Sequence, residues 1–398
     1  MQITDVKFYM TQGEPEYRVI RSPQATMEPV PPGINGLFTH THGLRGADAP
    51  TEWQSEEVLP TYELILRLVT DGSLDAYMTY STGFSADELE AEGRRFQLSY
   101  TPLLIGVDAF DREHVWQKLW YAQRFMYTGR RLVDNVDNML WDLASRYARL
   151  PIYKLLGGCR ERVPAYRNIG GETINGLVES AIEAKAQGFI GGKDHSYRGV
   201  KGNIEMAKKL RDTMGDDFLL FHDPVESYTY EEAVKVGRVM EQCGYEWIEE
   251  PLQDYDILGL KKLWATLDLK VLTLEWIGAI GGQPYNTAPY LAMKAADIVR
   301  QRGIGITGQV KQAAIAESFG VEVHGGDHHV ILATHNDPVF EAYMGLRPRP
   351  DDDELDCRGT LVVEDGYMSV AWSDKPVEEP DWDEIERDAF KVIDGLMD

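Results

Sequence analysis

Residues 218–275 are "FLLFHDPVESYTYEEAVKVGRVMEQCGYEWIEEPLQDYDILGLKKLWATLDLKVLTLE" and contain one short pattern three times. An apolar run of strand length ends in an acid at Asp223, at Glu249 and at Glu275, and both intervals are 26 residues. The segments between these runs have the spacing of amphipathic helices. Because a strand and its following helix fill an interval of this length, the three acids are expected at equivalent ends of consecutive parallel strands.

The same alternation of strands and helices extends in both directions from this stretch. Eight strands separated by helices predict an α/β fold of the (β/α)8 barrel type. A doubly wound sheet is the alternative, but no GxGxxG motif follows an early strand. The predicted strands are "VPAYRNI", "GFIGGKDH", "FLLFHDP", "YEWIEEP", "KVLTLEW", "ADIVRQR", "VEVHGG" and "PVFEAYMGL".

The regions outside the barrel have a different composition. The chain opens with an alternating, strand-like "MQITDVKFYM", which has no signal-peptide pattern. The Pro/Gly-rich residues 22–50 carry His40, His42 and Arg45, and both a lid over a site and a plain surface loop explain so long a segment. The tail predicts a hairpin and a segment that returns to the N-terminal domain. We therefore predict an N-terminal capping domain with lid loops at 1–128, a barrel at 129–355 and a returning C-terminal segment at 356–398.

Composition excludes several classes of function. The formal net charge of -25 argues against a nucleic-acid partner, because phosphate binding needs a basic surface. No apolar run approaches the roughly 18 residues of a membrane span, so no membrane partner is expected. The cysteines are few, far apart and without metal-type spacing, which predicts a cytoplasmic protein.

The three phased acids predict a metal site. Three carboxylates that converge at strand ends repel one another unless a cation neutralises them. Ligands that are all oxygen favour Mg²⁺, and Mn²⁺ would satisfy the same ligands. For any one of these acids, capping of the next helix is an equally good explanation, but three at one phase favour the metal. Glu250, out of phase with Glu249, is expected behind the ligands or at the start of a helix.

Two groups of basic side chains accompany the acids. Lys193 and His195 are two residues apart on a predicted strand, so they face one side while Asp194 faces away. They are candidates for a charge clamp and a general base, although an exposed pair would have the same spacing. Further along, four of the nine histidines fall within twelve residues, at His324, His328, His329 and His335.

Together these motifs resemble the enolase superfamily, in its mandelate racemase and sugar-acid dehydratase branch. The resemblance implies a (β/α)7β TIM-like barrel with an α+β N-terminal capping domain whose loops select the substrate. It further implies that Asp223, Glu249 and Glu275 bind Mg²⁺. The segments that carry it are "NMLWDLASRYARLPIYKLLGG", "GFIGGKDH", "HDPVES", "WIEEPL", "TLEWIG", "GITGQVKQAAIAESFGVEVH" and "GTLVVEDGYMSV".

Other roles follow from the resemblance, residue by residue. Lys193 matches the lysine that polarises the substrate carboxylate, His195 stands at the position of the base, and Glu341 matches an acid that binds the substrate carboxylate. The chain also departs from the family. Val225 replaces a common Asn. Strand six offers Arg300 or Arg302 where an Asp is usual, and the strand-seven histidine is His324, two residues earlier than expected.

The resemblance implies a Mg²⁺-dependent hydro-lyase that acts on a sugar acid, an aldonate or aldarate. His195 would remove the proton α to the metal-bound carboxylate. His324 or His328 would protonate the departing β-hydroxyl, which leaves a 2-keto-3-deoxy acid. His328 and His42 are also expected to contact the substrate, and a homo-oligomer is expected. The alternatives are a racemase, epimerase or cycloisomerase on the same scaffold, and a non-catalytic metal-binding descendant.

Overall fold

A computed structural model of the chain shows two sheets, each covered by helices. It describes residues 1–21, 52–126, 131–275, 277, 284–343 and 345–394. The candidate lid at 22–50, with His42, therefore lies outside the described residues. In chain order the elements are β1 (Ile3–Arg21), β2 (Glu52–Thr70), β3 (Ala76–Gly83), α1 (Ala86–Ser99), α2 (Thr101–Leu104), α3 (Arg112–Met126), α4 (Arg131–Ala148), α5 (Ile152–Leu155), β4 (Arg162–Ile169), α6 (Ile174–Ala186), β5 (Gly191–Asp194), α7 (Gly199–Met214), β6 (Leu219–His222), α8 (Tyr230–Gln242), β7 (Trp247–Glu249), α9 (Ile257–Trp264), β8 (Lys270–Thr273), α10 (Thr287–Ala292), β9 (Ile298–Arg300), α11 (Gly305–Ser318), β10 (Glu322–His324), α12 (His328–Ala333), β11 (Phe340–Ala342), β12 (Thr360–Glu364), β13 (Tyr367–Ala371), α13 (Trp382–Asp388) and β14 (Lys391–Asp394).

The first sheet is antiparallel, with the strand order β14-β1-β2-β3. The apolar positions of β1 supply its buried face, as the alternating N-terminal sequence predicts. Phe8 on this face packs edge to face on Phe96 of α1, with ring centroids 5.1 Å apart. Helix α1 starts after Ser85, whose hydroxyl accepts the Glu88 N–H at 3.3 Å. The N-terminal region is therefore an α+β layer with its own core.

The second sheet contains eight parallel strands in the order β10-β9-β8-β7-β6-β5-β4-β11. Between β10 and the segment that leads into β11, the Val323 N–H donates to the Asn336 carbonyl at 2.9 Å. The described helices α6 to α12 lie one after each of the strands β4 to β10. This order of elements is that of the predicted (β/α)7β barrel.

The barrel helices form because their apolar residues recur on one face. In α6, Leu177, Ala181 and Ala184 are buried against the sheet. Helix α8 begins with a capping box in which Thr229 and Glu232 satisfy each other's backbone N–H groups. Within the described part of the chain, no helix has the length and apolar character that crossing a bilayer requires.

The C-terminal segment contacts both sheets. The predicted hairpin forms as β12 and β13, and β13 pairs antiparallel with the start of β4. Strand β14 pairs with β1 in the first sheet.

Helix α4 contributes Val136 and Leu140 to the core of the N-terminal layer. The division of the chain after residues 128 and 355 stays a prediction.

Candidate active site

Four charged side chains come together near the carboxyl ends of alternate barrel strands β5, β7, β9 and β11. We call Lys193, Glu249, Arg300 and Glu341 the charged ring. Lys193 Nζ lies 2.8 Å from Glu249 Oε2 and 2.7 Å from Glu341 Oε1. Arg300 completes the ring, with Nη1 3.1 Å from Glu249 Oε1 and Nη2 2.7 Å from Glu341 Oε2. Because each side chain is at most 2% exposed, every charge depends on its two neighbours in the ring.

The barrel geometry explains this arrangement. In a barrel, side chains from alternate strands share one layer, so the second, fourth, sixth and eighth barrel strands (β5, β7, β9 and β11) supply four side chains at one height. Glu249 and Arg300 are the last residues of β7 and β9, and Lys193 and Glu341 are the penultimate residues of β5 and β11. Beneath them pack aromatic side chains: Tyr166 and Phe221 have ring centroids 4.5 Å apart, and Trp247 lies 4.0 Å from Phe221. The ring therefore has an apolar floor that excludes water.

Neighbouring charges hold Lys193, Arg300 and Glu341 in their charged forms, whereas burial raises the pKa of Glu249. Burial alone lowers the pKa of Lys193, but Glu249 and Glu341 raise it, and the pKa ends well above its ordinary value. The pKa of Arg300 is raised in the same way, against burial, by the neighbouring glutamates. Burial raises the pKa of Glu341, but Arg300 and Lys193 bring it well below its ordinary value. At neutral pH the two basic members are therefore cationic and Glu341 is anionic.

The three predicted metal ligands surround the same cations. Lys193 Nζ lies 3.3 Å from Asp223 Oδ2 as well as beside Glu249. Arg300 Nε lies 2.8 Å from Glu275 Oε2, and Arg302 also pairs with Glu275. Burial raises the pKa of Glu275, but the two arginines lower it to about 2. Each of the three acids therefore lies within ion-pair distance of Lys193 or Arg300.

Within two residues of each predicted ligand, the backbone has a left-handed conformation. Val225 has φ 50°, Glu250 has φ 40° and Leu274 has φ 78°. Such angles are costly for side chains of this size and persist where the surrounding structure enforces them. Glu250 and Leu274 directly follow the last residues of β7 and β8, and Val225 lies three residues after the end of β6.

The donor set of this site fits a magnesium-like cation. Its side-chain donors are carboxylate oxygens, the ligands that Mg²⁺ prefers. Glu249 Oε1 is buried and accepts no hydrogen bond from the described residues. The oxygens of Asp223, Glu249 and Glu275 do not form a compact trio within the described part of the chain, because Lys193 and the arginines separate them.

A second acidic group lies next to these ligands. Glu226, Glu250 and Asp254 are buried and place one oxygen each within 4.8 Å of the others. Asp254 accepts the N–H groups of Leu274 and Ile277, at 2.8 and 2.9 Å, and so joins the loops after β7 and β8. Burial raises the pKa of Glu226 to about 7. Glu250 was expected behind the ligands or at the start of a helix; the trio itself was not predicted, because it has no repeating spacing in the sequence.

His195, the predicted base, is a solvent-exposed member of the site. Its Nε2 lies 3.4 Å from Asp223 Oδ2, and half of its side chain is exposed. Asp194 faces away from Lys193, as predicted, and its carboxylate accepts His222 Nδ1 at 2.9 Å. His195 is therefore beside the predicted ligands and accessible to a substrate.

His324, at the end of barrel strand seven (β10), lies below the charged ring. His324 is buried, and its Nε2 is 2.7 Å from the Tyr166 hydroxyl and 3.9 Å from Glu341 Oε2. On its other side, Nδ1 is 3.8 Å from Oδ1 of Asp337. Asp337 is buried, and neither of its oxygens has a hydrogen-bond partner among the described residues. Sequence reasoning missed Asp337, because it precedes β11 in a loop and repeats no pattern.

The other predicted residues are placed as follows. Glu341 is in the charged ring. His328 begins α12, where its Nδ1 lies 3.6 Å from Asp327 Oδ2 and its ring packs on His329 at 4.3 Å. His42 lies outside the described residues. These substrate-binding roles stay predictions.

Barrel strand six, β9, supplies Arg300, whose orientation the sequence left open. Arg300 faces the site and is almost fully buried. Its Nη2 also donates to the Tyr343 hydroxyl at 2.8 Å, and that hydroxyl donates to Glu341 at 3.2 Å. Tyr343 was not expected in the site. A Cβ on Gly325, which has φ 76°, would lie 2.7 Å from Arg300 Cζ, so a glycine is required there.

Known proteins resemble this chain in sequence. The family described as "Enolase C-terminal domain-like" matches residues 176–376. L-talarate/galactarate dehydratase of Salmonella typhimurium is 30% identical over 290 residues, which cover 67% of this chain and 68% of the relative. Arabinonate dehydratase of Saccharolobus solfataricus is 31% identical over 328 residues, which cover 74% of this chain and 83% of the relative.

A solved structure extends the likeness to nearly the whole chain. D-glucarate dehydratase from Agrobacterium tumefaciens, crystallised with magnesium, superposes with a TM-score of 0.72 at 26% sequence identity. The match covers 98% of this chain and all of that chain. The predicted fold, a TIM-like barrel with an N-terminal capping domain, is confirmed.

Proposed function

This chain belongs to the enolase superfamily, in its mandelate racemase and sugar-acid dehydratase branch, and we propose that it is a Mg²⁺-dependent hydro-lyase acting on a sugar acid. The observation that carries the proposal is the meeting of Asp223, Glu249 and Glu275 around Lys193 and Arg300, with His195 at its open side. The substrate would be an aldonate or aldarate, and the product a 2-keto-3-deoxy acid. A homo-oligomer and a cytoplasmic location remain predictions from the sequence.

The acids would hold the cation, and the basic residues would hold the substrate. When bound by Asp223, Glu249 and Glu275, Mg²⁺ would offset the negative charge that develops as the α-proton leaves. Lys193 would place a second positive charge beside the substrate carboxylate. Because the pKa of Lys193 is well above its ordinary value, it stays protonated and serves as a charge, not as a base.

His195 would therefore be the base. It is next to Asp223, it is half exposed, and a neutral imidazole can accept a proton near neutral pH. The proton that the departing hydroxyl needs would come from a histidine at the end of barrel strand seven, β10, or at the start of the following helix, α12. His324 or His328 is proposed for this step; since His324 is buried, its route would pass the Tyr166 hydroxyl or Glu341.

Proton NMR of the Mg²⁺-supplied protein in D₂O with a set of aldonates and aldarates tests this function. We expect a 2-keto-3-deoxy product from at least one acid. His195→Asn should abolish both product formation and α-proton exchange. The matched control is His335→Asn, at an exposed histidine beside Glu317, which should behave as the wild type.

The same experiment separates the alternatives. Exchange or inversion at the α-carbon without loss of water would replace the dehydratase with a racemase or epimerase. Exchange that persists in His324→Asn or His328→Asn while water loss stops would identify the acid. No change in any sugar acid would contradict the proposed function.

A further inference from the structure

Arg300 contacts two of the three acids proposed to bind the metal, and it does so from within the barrel. We propose that Arg300 is a built-in counter-cation of the metal site: it holds Glu249 and Glu275 in place by its charge and thereby lowers their affinity for a divalent cation. The inference rests on the proposed assignment of Asp223, Glu249 and Glu275 as ligands.

The contacts of Arg300 with these acids are ionic. Nη1 lies 3.1 Å from Glu249 Oε1 and Nε lies 2.8 Å from Glu275 Oε2, within ion-pair distance. Neither nitrogen has a partner in hydrogen-bond geometry among the described residues, and both are buried. A contact held by charge and not by directed hydrogen bonds tolerates small shifts of the carboxylates. The same oxygens can therefore turn toward a second cation while Arg300 remains in place.

The guanidinium is fixed in position. Gly325 packs against Cζ on one side, where a Cβ would lie only 2.7 Å away. The Tyr343 hydroxyl and the Glu341 carboxylate hold Nη2 at 2.8 and 2.7 Å. The Arg300 carbonyl accepts Gln312 Nε2 at 2.9 Å, which anchors its backbone to α11. Because Arg300 cannot move away, its charge acts on the ligands whether or not another cation is bound.

Two consequences follow from elementary electrostatics. Without Arg300, the site would hold three buried carboxylates and the partly exposed Glu275 against Lys193 and the partly exposed Arg302, and their repulsion would destabilise the fold. With Arg300, the fold should not need the metal. In return, Arg300 repels an incoming divalent cation at short range, so its removal should tighten Mg²⁺ binding by about tenfold or more.

The test compares Arg300→Gln, which removes the charge, with Arg300→Lys, which keeps it. The full chain is studied by thermal unfolding in EDTA and in excess Mg²⁺, and by calorimetric titration with Mg²⁺. The matched control is Arg146→Gln, because Arg146 is 1% exposed and pairs with Asp142 and Glu379 at 2.7 and 2.6 Å outside the site.

We expect the wild type to keep nearly the same midpoint of unfolding in EDTA and in Mg²⁺. Arg300→Gln should unfold at a lower temperature in EDTA, recover much of the loss in Mg²⁺, and bind Mg²⁺ about tenfold or more tightly. Arg300→Lys should bind Mg²⁺ within about threefold of the wild type, since the charge is kept. Arg146→Gln should be destabilised equally in both solutions.

Several results would overturn the inference. One is an Arg300→Gln variant that is destabilised equally in EDTA and Mg²⁺, or whose Mg²⁺ affinity is unchanged or weaker. Unfolding of the wild type on addition of EDTA would also overturn the inference. This test needs no variant, so it applies even where Arg300→Gln fails to fold. If neither wild type nor variant binds Mg²⁺, the ligand assignment fails as well. Tighter Mg²⁺ binding in the variant, with no sugar acid dehydrated, would support the inference and contradict only the proposed reaction.

Discussion

Arg300 Nη2 lies 2.7 Å from Glu341 Oε2, and the two side chains are 1% and 2% exposed. They come from barrel strands six and eight, β9 and β11, and they close the charged ring opposite Lys193 and Glu249. A buried pair of this kind adds little net stability compared with apolar residues, but it is costly to break, because one charge is left without its partner. The ring is therefore sensitive to neutralisation of any one member.

Neutralisation of Glu341 should destabilise the fold strongly. Glu341→Gln leaves Arg300 and Lys193 each without one anionic neighbour, at an expected cost of about 3 kcal/mol in the free energy of unfolding. Urea denaturation measures this cost. Glu379→Gln is the matched control: Glu379 pairs with Arg146 at 2.6 Å but is 31% exposed, so its loss should cost no more than about 1 kcal/mol. Equal losses in the two variants would contradict this account.

Lys193 should be needed for the reaction as a charge. Lys193→Met removes the ammonium shared by Asp223, Glu249 and Glu341, and we expect kcat/KM for the sugar acid to fall by about 100-fold or more. Steady-state kinetics at saturating Mg²⁺ measures the change. The control is Lys185→Met, since Lys185 is 41% exposed and pairs with Asp217 away from the ring. A Lys193→Met enzyme with wild-type kinetics would exclude the proposed charge clamp.

Asp137 should make stability depend on pH. Burial raises its pKa to about 7, against the hydrogen bonds that it accepts from the Thr307 N–H and hydroxyl. Between the unfolded pKa of 3.8 and about 7, the folded state holds a proton that the unfolded state has lost. The contribution of protonated Asp137 to the free energy of unfolding is complete below the unfolded pKa of 3.8. It decreases as the pH rises toward about 7, by about 4 kcal/mol in all.

Urea denaturation of the wild type and Asp137→Asn across that pH range measures the effect. The variant carries no titrating group at this position, so the difference in unfolding free energy between the two proteins should shrink or reverse as pH rises. A difference that is constant with pH would show that Asp137 is ionised in the folded state.

The tautomer of His324 should be set by its two neighbours. Burial raises the pKa of Tyr166 well above its ordinary value, so its hydroxyl keeps its proton and donates to His324 Nε2. Neutral His324 then carries its own proton on Nδ1, which faces Asp337. Nitrogen-15 NMR of histidine-labelled protein should show the Nδ1–H form, and Tyr166→Phe should weaken that preference. An Nε2–H signal in the wild type would contradict the assignment.

The sequence by itself determined the fold and the three acids of the site. Apolar runs alternating with amphipathic segments predict a barrel, because both periodicities are local properties of the chain. The interval between Asp223, Glu249 and Glu275 placed them at equivalent strand ends, because a repeating unit converts equal spacing into spatial proximity. Because Lys193 and Asp194 are adjacent on a predicted strand, the sequence likewise predicts opposite orientations for them, which the structure shows.

Only the tertiary structure decided which charges are neighbours. Arg300 could have been a surface residue from its sequence context, and it faces inward because strand six contributes to the same layer as strands two, four and eight. Asp337 reaches His324, and Tyr343 reaches Arg300, through loops whose paths no periodic pattern specifies. Partners of buried charges depend on layer and rotation within the closed packing of the barrel. Those quantities are set by all eight strands together, so no single segment of sequence contains them.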